Sequence, residues 1–389
     1  MAVTALQPAP ALRRARFATS TIFAVHGAVT GTFAARVPWV ADHVGAGAGG
    51  LGLALLMPGV GALLAMPLSG RLAHRFDLRS LTRVLIVCWA AALLLPALPG
   101  SLPLLCVTLV SYGATAGLAD VAMNAHAVIV EEKYQKSVMS GFHGWWSVGG
   151  LVGSAGGALA ARAGLGAPPH FALTTVVLII VSVAVSFWLL DSRPEPGLEE
   201  PPAFALPSRA VLPIGLIGLC AVFAEGASLD WSAVYVRDLL HNSASTAAAT
   251  VSIFSICMAI ARFGGDWAVR KLGAVNAVRL SGVIATAGAL IVVLTKPVAL
   301  VITGFGLLGV GIAVVVPLVF AAAGRLPGHP GRNIAGVAGI AYGSGLIAPG
   351  IIGGIAHVSS LTVSFVVIVG LVAIMGLGAT VLKNRKGSL

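Results

Sequence analysis

The chain has 389 residues, 58% of them hydrophobic and only 10% charged, with a formal net charge of +11. A soluble globular domain carries about 25% charged residues, so this composition excludes a soluble enzyme or binding module. The basic excess does not mark a nucleic-acid surface, because Lys and Arg stand at the ends of apolar runs rather than on one face. No nucleic-acid partner is expected.

Arg13, Arg14 and Arg16 precede an apolar run too long for the core of a cleavable signal. Runs of about 20 apolar residues, the length that crosses a bilayer core, then recur along the chain. They predict helices over 17–41, 50–70, 82–98, 102–129, 138–161 and 171–190. A second set covers 210–236, 245–268, 275–295, 298–323, 333–356 and 361–382. The prolines and acids of 191–208 cannot span. The expected fold is an all-α polytopic membrane protein with twelve transmembrane helices, in bundles at 1–190 and 209–389 joined by a cytoplasmic linker at 191–208. Of the 24 Lys and Arg, 20 fall on one side of this layout, leaving Arg36, Arg162, Arg237 and Lys296 opposite. The positive-inside rule makes the crowded side cytoplasmic and places both termini there.

The 49 glycines suit helices that approach closely in lipid. Gly304-x-Gly306-x-x-Gly309 matches a dinucleotide pattern by letter, but it follows no strand and reads as helix packing. Cys88, Cys106, Cys220 and Cys257 stand singly without metal-ligand spacing and read as small buried hydrophobes. Pro317 and Pro349 predict mid-span kinks. Glu131, Glu132, Lys133 and Lys136 read as a solvated cytoplasmic loop. There is no P-loop, H-E-x-x-H or G-x-S-x-G, so neither an ATP-driven pump nor a membrane hydrolase is expected, and no metal.

The stretch from Gly117 to Ser147 concentrates the polar chemistry. Asp120, Asn124 and His126 interrupt an apolar span, and an acid there is costly by roughly 2.5–3.5 kcal/mol on insertion scales, so it faces protein or water. Phe142, His143, Trp145 and Trp146 open the next span. Asp120 is the candidate proton-coupling group; burial raises a carboxyl toward neutral titration. Asn124, His26, Phe142, His143, Trp146, Trp231 and Tyr342 are the candidate solute contacts, with imidazoles able to relay protons and indoles able to stack on a sugar ring. Glu225 is a second candidate acid. Asp230, five residues on, points about 140° away on a helix and is grouped with Arg36 as a candidate external gate. The structural alternatives are a carboxylate satisfied by a neighbouring helix, neutral histidines bonded to carbonyls, interfacial tryptophans and snorkelling arginines.

The halves repeat weakly, about 195–199 residues apart: Arg71-Leu72 falls where Arg270-Lys271-Leu272 does, and Gly150-Leu151-Val152 falls on Gly345-Leu346-Ile347. Parallel repeats with a solute site between them describe one large transporter architecture. The site is not repeated, since Asp120 falls on Val314 and Asn124 on Leu318.

Gly70-Arg71-Leu72-Ala73-His74-Arg75-Phe76-Asp77 resembles the G-x-L-A-D-R-x-G signature of the major facilitator superfamily, with His74 for the usual acid and Asp77 for the usual glycine. Arg262-Phe263-Gly264-Gly265-Asp266 with Arg270-Lys271 is a looser copy. The resemblance makes Arg71, Arg75, Asp77, Asp266 and Arg270 candidate gating residues. Within that superfamily, Ala35-Arg36-Val37-Pro38-Trp39, Phe142-His143-Gly144-Trp145-Trp146-Ser147 and Glu225-Gly226 with Asp230-Trp231-Ser232 are similar to the bacterial MosC-like branch, related to the fucose permeases. In those permeases an acid four residues before an asparagine in helix 4 serves proton-coupled sugar transport, a spacing that Asp120 and Asn124 match. Ala34 stands where they carry a helix 1 acid.

The resemblance implies a secondary transporter of the bacterial inner membrane that alternately exposes a small polar, sugar-like solute to each side. It is expected to work as a monomer by proton symport, with no cofactor beyond the proton gradient. The alternative is a proton-driven exporter of a small organic or drug-like compound. A solute sensor and a membrane enzyme rank lower, for want of a signalling domain and of a catalytic constellation.

Overall fold

A computed structural model describes residues 10–46, 48–191 and 208–383. The expected linker lies outside the described residues apart from Asp191 and Ser208. Among the described residues all regular structure is helical: α1 (Pro10–Ala34), α2 (Val37–His43), α3 (Ala48–Ala65), α4 (Ser69–Arg75), α5 (Leu78–Ala92), α6 (Leu102–Tyr134), α7 (Met139–Arg162) and α8 (Ala167–Ser186). Then follow α9 (Val211–Val234), α10 (Ala244–Leu294), α11 (Val298–Ile312), α12 (Val315–Gly324), α13 (Pro330–Val358) and α14 (Leu361–Leu377).

Among the described residues, nine helical stretches are long and apolar enough to cross a membrane, one of them running 46 residues from Ala249 to Leu294. Gly273, at φ 75° and ψ 161°, is not helical and breaks that stretch into two lengths. Only glycine takes this backbone without strain. α1 and α7 have 25 and 24 residues, enough for about 36 Å at a 1.5 Å rise, though serine, threonine, histidine and glycine dilute their apolar character.

Prolines set several ends. The expected first helix, 17–41, instead runs from Pro10 to Ala34 and restarts as α2. Pro38 has no N–H for the Ala34 carbonyl four residues back, and its ring crowds that position. The expected 298–323 helix breaks at Ala313–Val314, where Val314 has ψ −5°, four residues before Pro317 for the same reason. The expected 50–70 helix stops at Ala65, and a 3₁₀ turn over Met66–Leu68 leads into α4.

Glu131 to Lys133 do not form a loop. α6 continues to Tyr134 and ends on Gln135 in the left-handed region, and Glu131 is 5% exposed. The Val138 N–H donates to Glu131 Oε2 at 2.9 Å, so the carboxylate satisfies backbone at the entry to α7. Asp77 caps α5 in the same way, accepting from the Ser80 N–H at 2.9 Å. Burial pushes the Asp77 carboxyl up, but the Ser80 and Arg79 hydrogen bonds and the Arg79 charge outweigh it and hold it below the usual 3.8. A depressed carboxyl stabilises above its unfolded value and loses that contribution as pH falls through the folded one. Asp77→Ala should therefore cost about 1 kcal/mol at neutral pH. The difference in unfolding midpoint from the parent should shrink as pH falls below 4, and a difference that persists there would deny the cap.

The chain divides into two compact units: unit 1, Met1–Val138 with Trp145–Phe204, and unit 2, Met139–Gly144 with Ala205–Leu389. The first six residues of α7 thus pack with unit 2. In unit 1, α1 and α7 meet without side chains between them: a Cβ on Gly27 would overlap the Trp146 carbonyl, one on Gly31 the Gly150 carbonyl, and one on Gly149 the Ala24 carbonyl. The centre of unit 1 is aromatic, with Trp89 4.5 Å from Tyr112 and Tyr112 5.1 Å from Phe33, ring to ring. In unit 2, Tyr235, Phe305 and Phe365 meet edge to face at 5.3–6.1 Å, and the Tyr235 hydroxyl donates to the Val292 carbonyl at 2.9 Å. The Gly304–Gly309 pattern is a packing seam: a Cβ at Gly304 would meet the Gly288 carbonyl at 2.7 Å, and one at Gly309 the Phe254 carbonyl at 2.6 Å.

Candidate functional site

In unit 1, Asp120 lies within a turn of the middle of α6 and is 8% exposed; Asn124, one turn on, is fully buried. The Asn124 amide nitrogen donates to the Asp120 backbone carbonyl at 2.9 Å and to Asp120 Oδ1 at 3.2 Å. The helix makes this pair, because residues four apart stack on one face. Bonding the nitrogen to a carbonyl and a carboxylate turns Asn124 Oδ1 away, and that oxygen is buried with no hydrogen bond among the described residues. His126, also buried, accepts from the Leu190 N–H at Nε2 (3.3 Å) and so holds the end of the chain leaving α8.

His26 and Trp146 are brought together. The Trp146 indole N–H donates to His26 Nδ1 at 3.0 Å, and His26 Nε2 lies 3.3 Å from the Ala116 carbonyl. An Nδ1 that accepts must carry no proton, so Nε2 carries the hydrogen and donates to the carbonyl. The Trp89 indole donates to the His26 backbone carbonyl at 3.2 Å. His26 thus ties α1 to α5, α6 and α7 as a neutral imidazole, and Trp146 spends its N–H on it.

In unit 2, Glu225 on α9 pairs with Arg262 on α10, Nη2 lying 3.3 Å from Oε1 and 3.5 Å from Oε2. Arg262 Nε donates to the Ala313 carbonyl at 3.4 Å. That oxygen is available because Pro317 has no N–H to give it, so the kink creates the acceptor on which Arg262 lands. Four residues along α10, Asp266 accepts from the Ser140 N–H at 3.0 Å and the Gly141 N–H at 2.9 Å, while the Ser140 hydroxyl donates to the Arg262 carbonyl at 2.6 Å. A carboxylate at a helix N-terminus meets unpaired N–H groups and the positive end of the dipole.

His143 stacks on Phe320 at 5.9 Å and 14°, and Tyr342 meets Phe320 edge-on at 6.1 Å. Phe320, unmarked in the sequence, links two of the expected solute contacts. Phe142 is 1% exposed. The Trp231 ring covers Gly353, where a Cβ would meet it at 3.0 Å, and its indole nitrogen is buried without a hydrogen bond among the described residues. Asp230 is exposed. Arg36 bonds within unit 1, to His170 and the Leu165 carbonyl. Asp77 caps α5; Arg75 and Arg270 are exposed and Arg71 is half-buried. Among the described residues no group of His, Cys, Asp and Glu could hold a metal.

Membrane-length helices in two units, with ionisable groups buried inside them, define a polytopic membrane protein. Residues 19–349 match the family model of the Major Facilitator Superfamily, and the chain belongs to that superfamily. Its relatives place it in the MosC-like branch. It is 35% identical to the uncharacterized transporter y4wD of Sinorhizobium fredii, across 93% of this chain and 96% of that one. It is 28% identical to the membrane protein MosC of Rhizobium meliloti, across 90% and 86%. In fold it is similar to the Escherichia coli fucose:proton symporter FucP, with a TM-score of 0.75 at 14% identity over 95% of this chain and 98% of that one. It is also similar to the human organic anion transporter MFSD10, with a TM-score of 0.74 at 15% identity over 95% and 100%.

Proposed function

We propose that this secondary transporter moves a small polar, sugar-like solute across the bacterial inner membrane by proton symport, with Asp120 as the coupling acid. The observation that carries this reading is a carboxylate 8% exposed inside a membrane-length helix and bonded to an amide whose own oxygen has no hydrogen-bond donor among the described residues. A protonated Asp120 gains an O–H donor. With it, the Asn124 amide no longer faces a charge and can offer its oxygen to a carboxyl or solute hydroxyl. Protonation and solute binding then favour the same arrangement, which is the differential affinity that coupling needs. Glu225 is the second acid of the scheme, with Arg262 Nη2 beside its carboxylate at 3.3 Å. Asp266 serves as part of a latch, its two N–H bonds holding the start of α7 to α10 together with the Ser140 hydroxyl on the Arg262 carbonyl.

The test is purified protein in liposomes with a pH-sensitive dye inside, screened against sugars, polyols and amino compounds. Acidification of the lumen with one solute supports symport. A signal only on counter-directed gradients assigns proton-driven export instead, and a transported solute that moves no protons overturns the coupling.

A further inference from the structure

Within unit 2, α9 and α13 run side by side. The Ser344 hydroxyl donates to the Leu219 carbonyl at 3.1 Å, and a Cβ on Gly345 would meet Val222 at 3.3 Å. Further along the same seam the Trp231 ring lies on Gly353, where a Cβ would stand 3.0 Å from Cζ2 and 3.2 Å from Cη2. Cζ2 neighbours the ring carbon that carries Nε1, so the N–H side of the indole is the side laid on α13. That nitrogen is buried and has no acceptor among the described residues. A tryptophan acting as an interfacial anchor keeps its N–H among headgroups and water. Trp231 instead holds its donor inside the protein, where an unmade hydrogen bond is unfavourable.

An acceptor stands on the same stretch of α13. Pro349 lies inside the helix and has no N–H for the Gly345 carbonyl four residues back. Gly345 and Gly353 are eight residues apart, about 12 Å along the axis. Helical carbonyls point toward the C-terminal end, which brings this oxygen nearer the indole. Tyr342, Pro349 and Gly353 follow at i, i+7 and i+11, one face of a helix. A Cβ on Gly350 or Gly354 would meet nothing within 4 Å, so there is room on both sides of the ring. The charged neighbour of Trp231 is Asp230, an exposed carboxylate that repels anions.

We propose that Trp231 is a specificity-determining residue, and that its indole and the α13 face from Tyr342 to Gly353 bind an uncharged sugar. The inference rests on the transport of a sugar-like solute proposed above and narrows it to neutral sugars. A hydroxyl both accepts and donates. One such solute takes the Trp231 N–H, offers a second hydroxyl to the Gly345 carbonyl and lays the C–H face of its ring on the indole. A sugar acid would bring its charge beside Asp230.

The test is exchange of labelled for unlabelled D-glucose, L-fucose and D-glucuronate in liposomes holding the full chain. The expected result is that a neutral sugar exchanges and D-glucuronate does not. Trp231→Phe, which keeps a ring but loses the N–H, should raise the half-saturating concentration of that sugar about tenfold, the contribution of one hydrogen bond, at an unchanged maximal rate. Gly353→Ala should raise it too, since the new Cβ displaces the ring. Gly370→Ala on α14, where a Cβ would meet nothing within 4 Å, should leave it unchanged. Gly353→Ala decides the matter if Trp231→Phe does not fold. Unchanged half-saturation in both variants, whatever happens to the maximal rate, would assign Trp231 to helix packing alone and overturn the proposal. Exchange of D-glucuronate as fast as the neutral sugars, or faster, would overturn it while leaving transport of a sugar-like solute intact. Exchange of none of the three would remove that reading and this inference together.

Discussion

Asp120→Asn should abolish accumulation of solute against a gradient while leaving exchange of labelled for unlabelled solute intact. Each elementary charge moved through 100 mV supplies about 2.3 kcal/mol, equivalent to roughly 50-fold accumulation at 1.36 kcal/mol per decade. An amide at residue 120 keeps the volume and an oxygen for Asn124 but cannot carry a proton. Accumulation driven by an imposed pH gradient and membrane potential should therefore fall to the equilibrium ratio of one. Asn124→Ala tests the other half of the pair. It should impair exchange as well, because it removes both the bond to Asp120 and the acceptor offered to solute. Accumulation at parental levels in Asp120→Asn would take this residue out of the coupling step.

The second large effect is structural. Gly27→Leu, Gly31→Leu and Gly149→Leu should each sharply reduce the yield of folded protein, since every new Cβ would overlap a backbone carbonyl on the opposing helix. Overpacking a fitted core costs about 1–3 kcal/mol when side chains can yield; here only the helix backbones could move. A Cβ added at Gly156, further along α7, would meet nothing within 4 Å. Gly156→Ala should hold the melting temperature or raise it, since helix propensity favours alanine by up to about 1 kcal/mol. Size-exclusion yield and thermal unfolding in detergent compare the two groups, and equal tolerance would show that α1 and α7 do not meet along this seam.

What can be read ahead of the structure is whatever depends on near neighbours in the chain. The Asp120–Asn124 bond follows from a four-residue spacing, and the break before Pro317 from a missing N–H. Arg262 is visible as part of a signature-like segment, but its partner Glu225 lies 37 residues away. Its acceptor, the Ala313 carbonyl, lies 51 away. Trp146 and His26 are 120 residues apart, and an indole and an imidazole each read equally well as solute contacts or as partners for one another. Glu131 escapes a local reading because Glu131-Glu132-Lys133 has the composition of a solvated turn. The helix carries the chain past that cluster and buries the Glu131 carboxylate against the backbone entering α7.

Composition and hydropathy were enough to establish a helical membrane protein, because lipid offers no hydrogen bonds and obliges each spanning segment to satisfy its own backbone. The motifs were enough to name the superfamily. Which polar side chains serve each other inside the helices was decided only by packing. A buried donor or acceptor takes whichever partner the neighbouring helix presents, and that choice turns on ångström-scale approach between segments that no local pattern records.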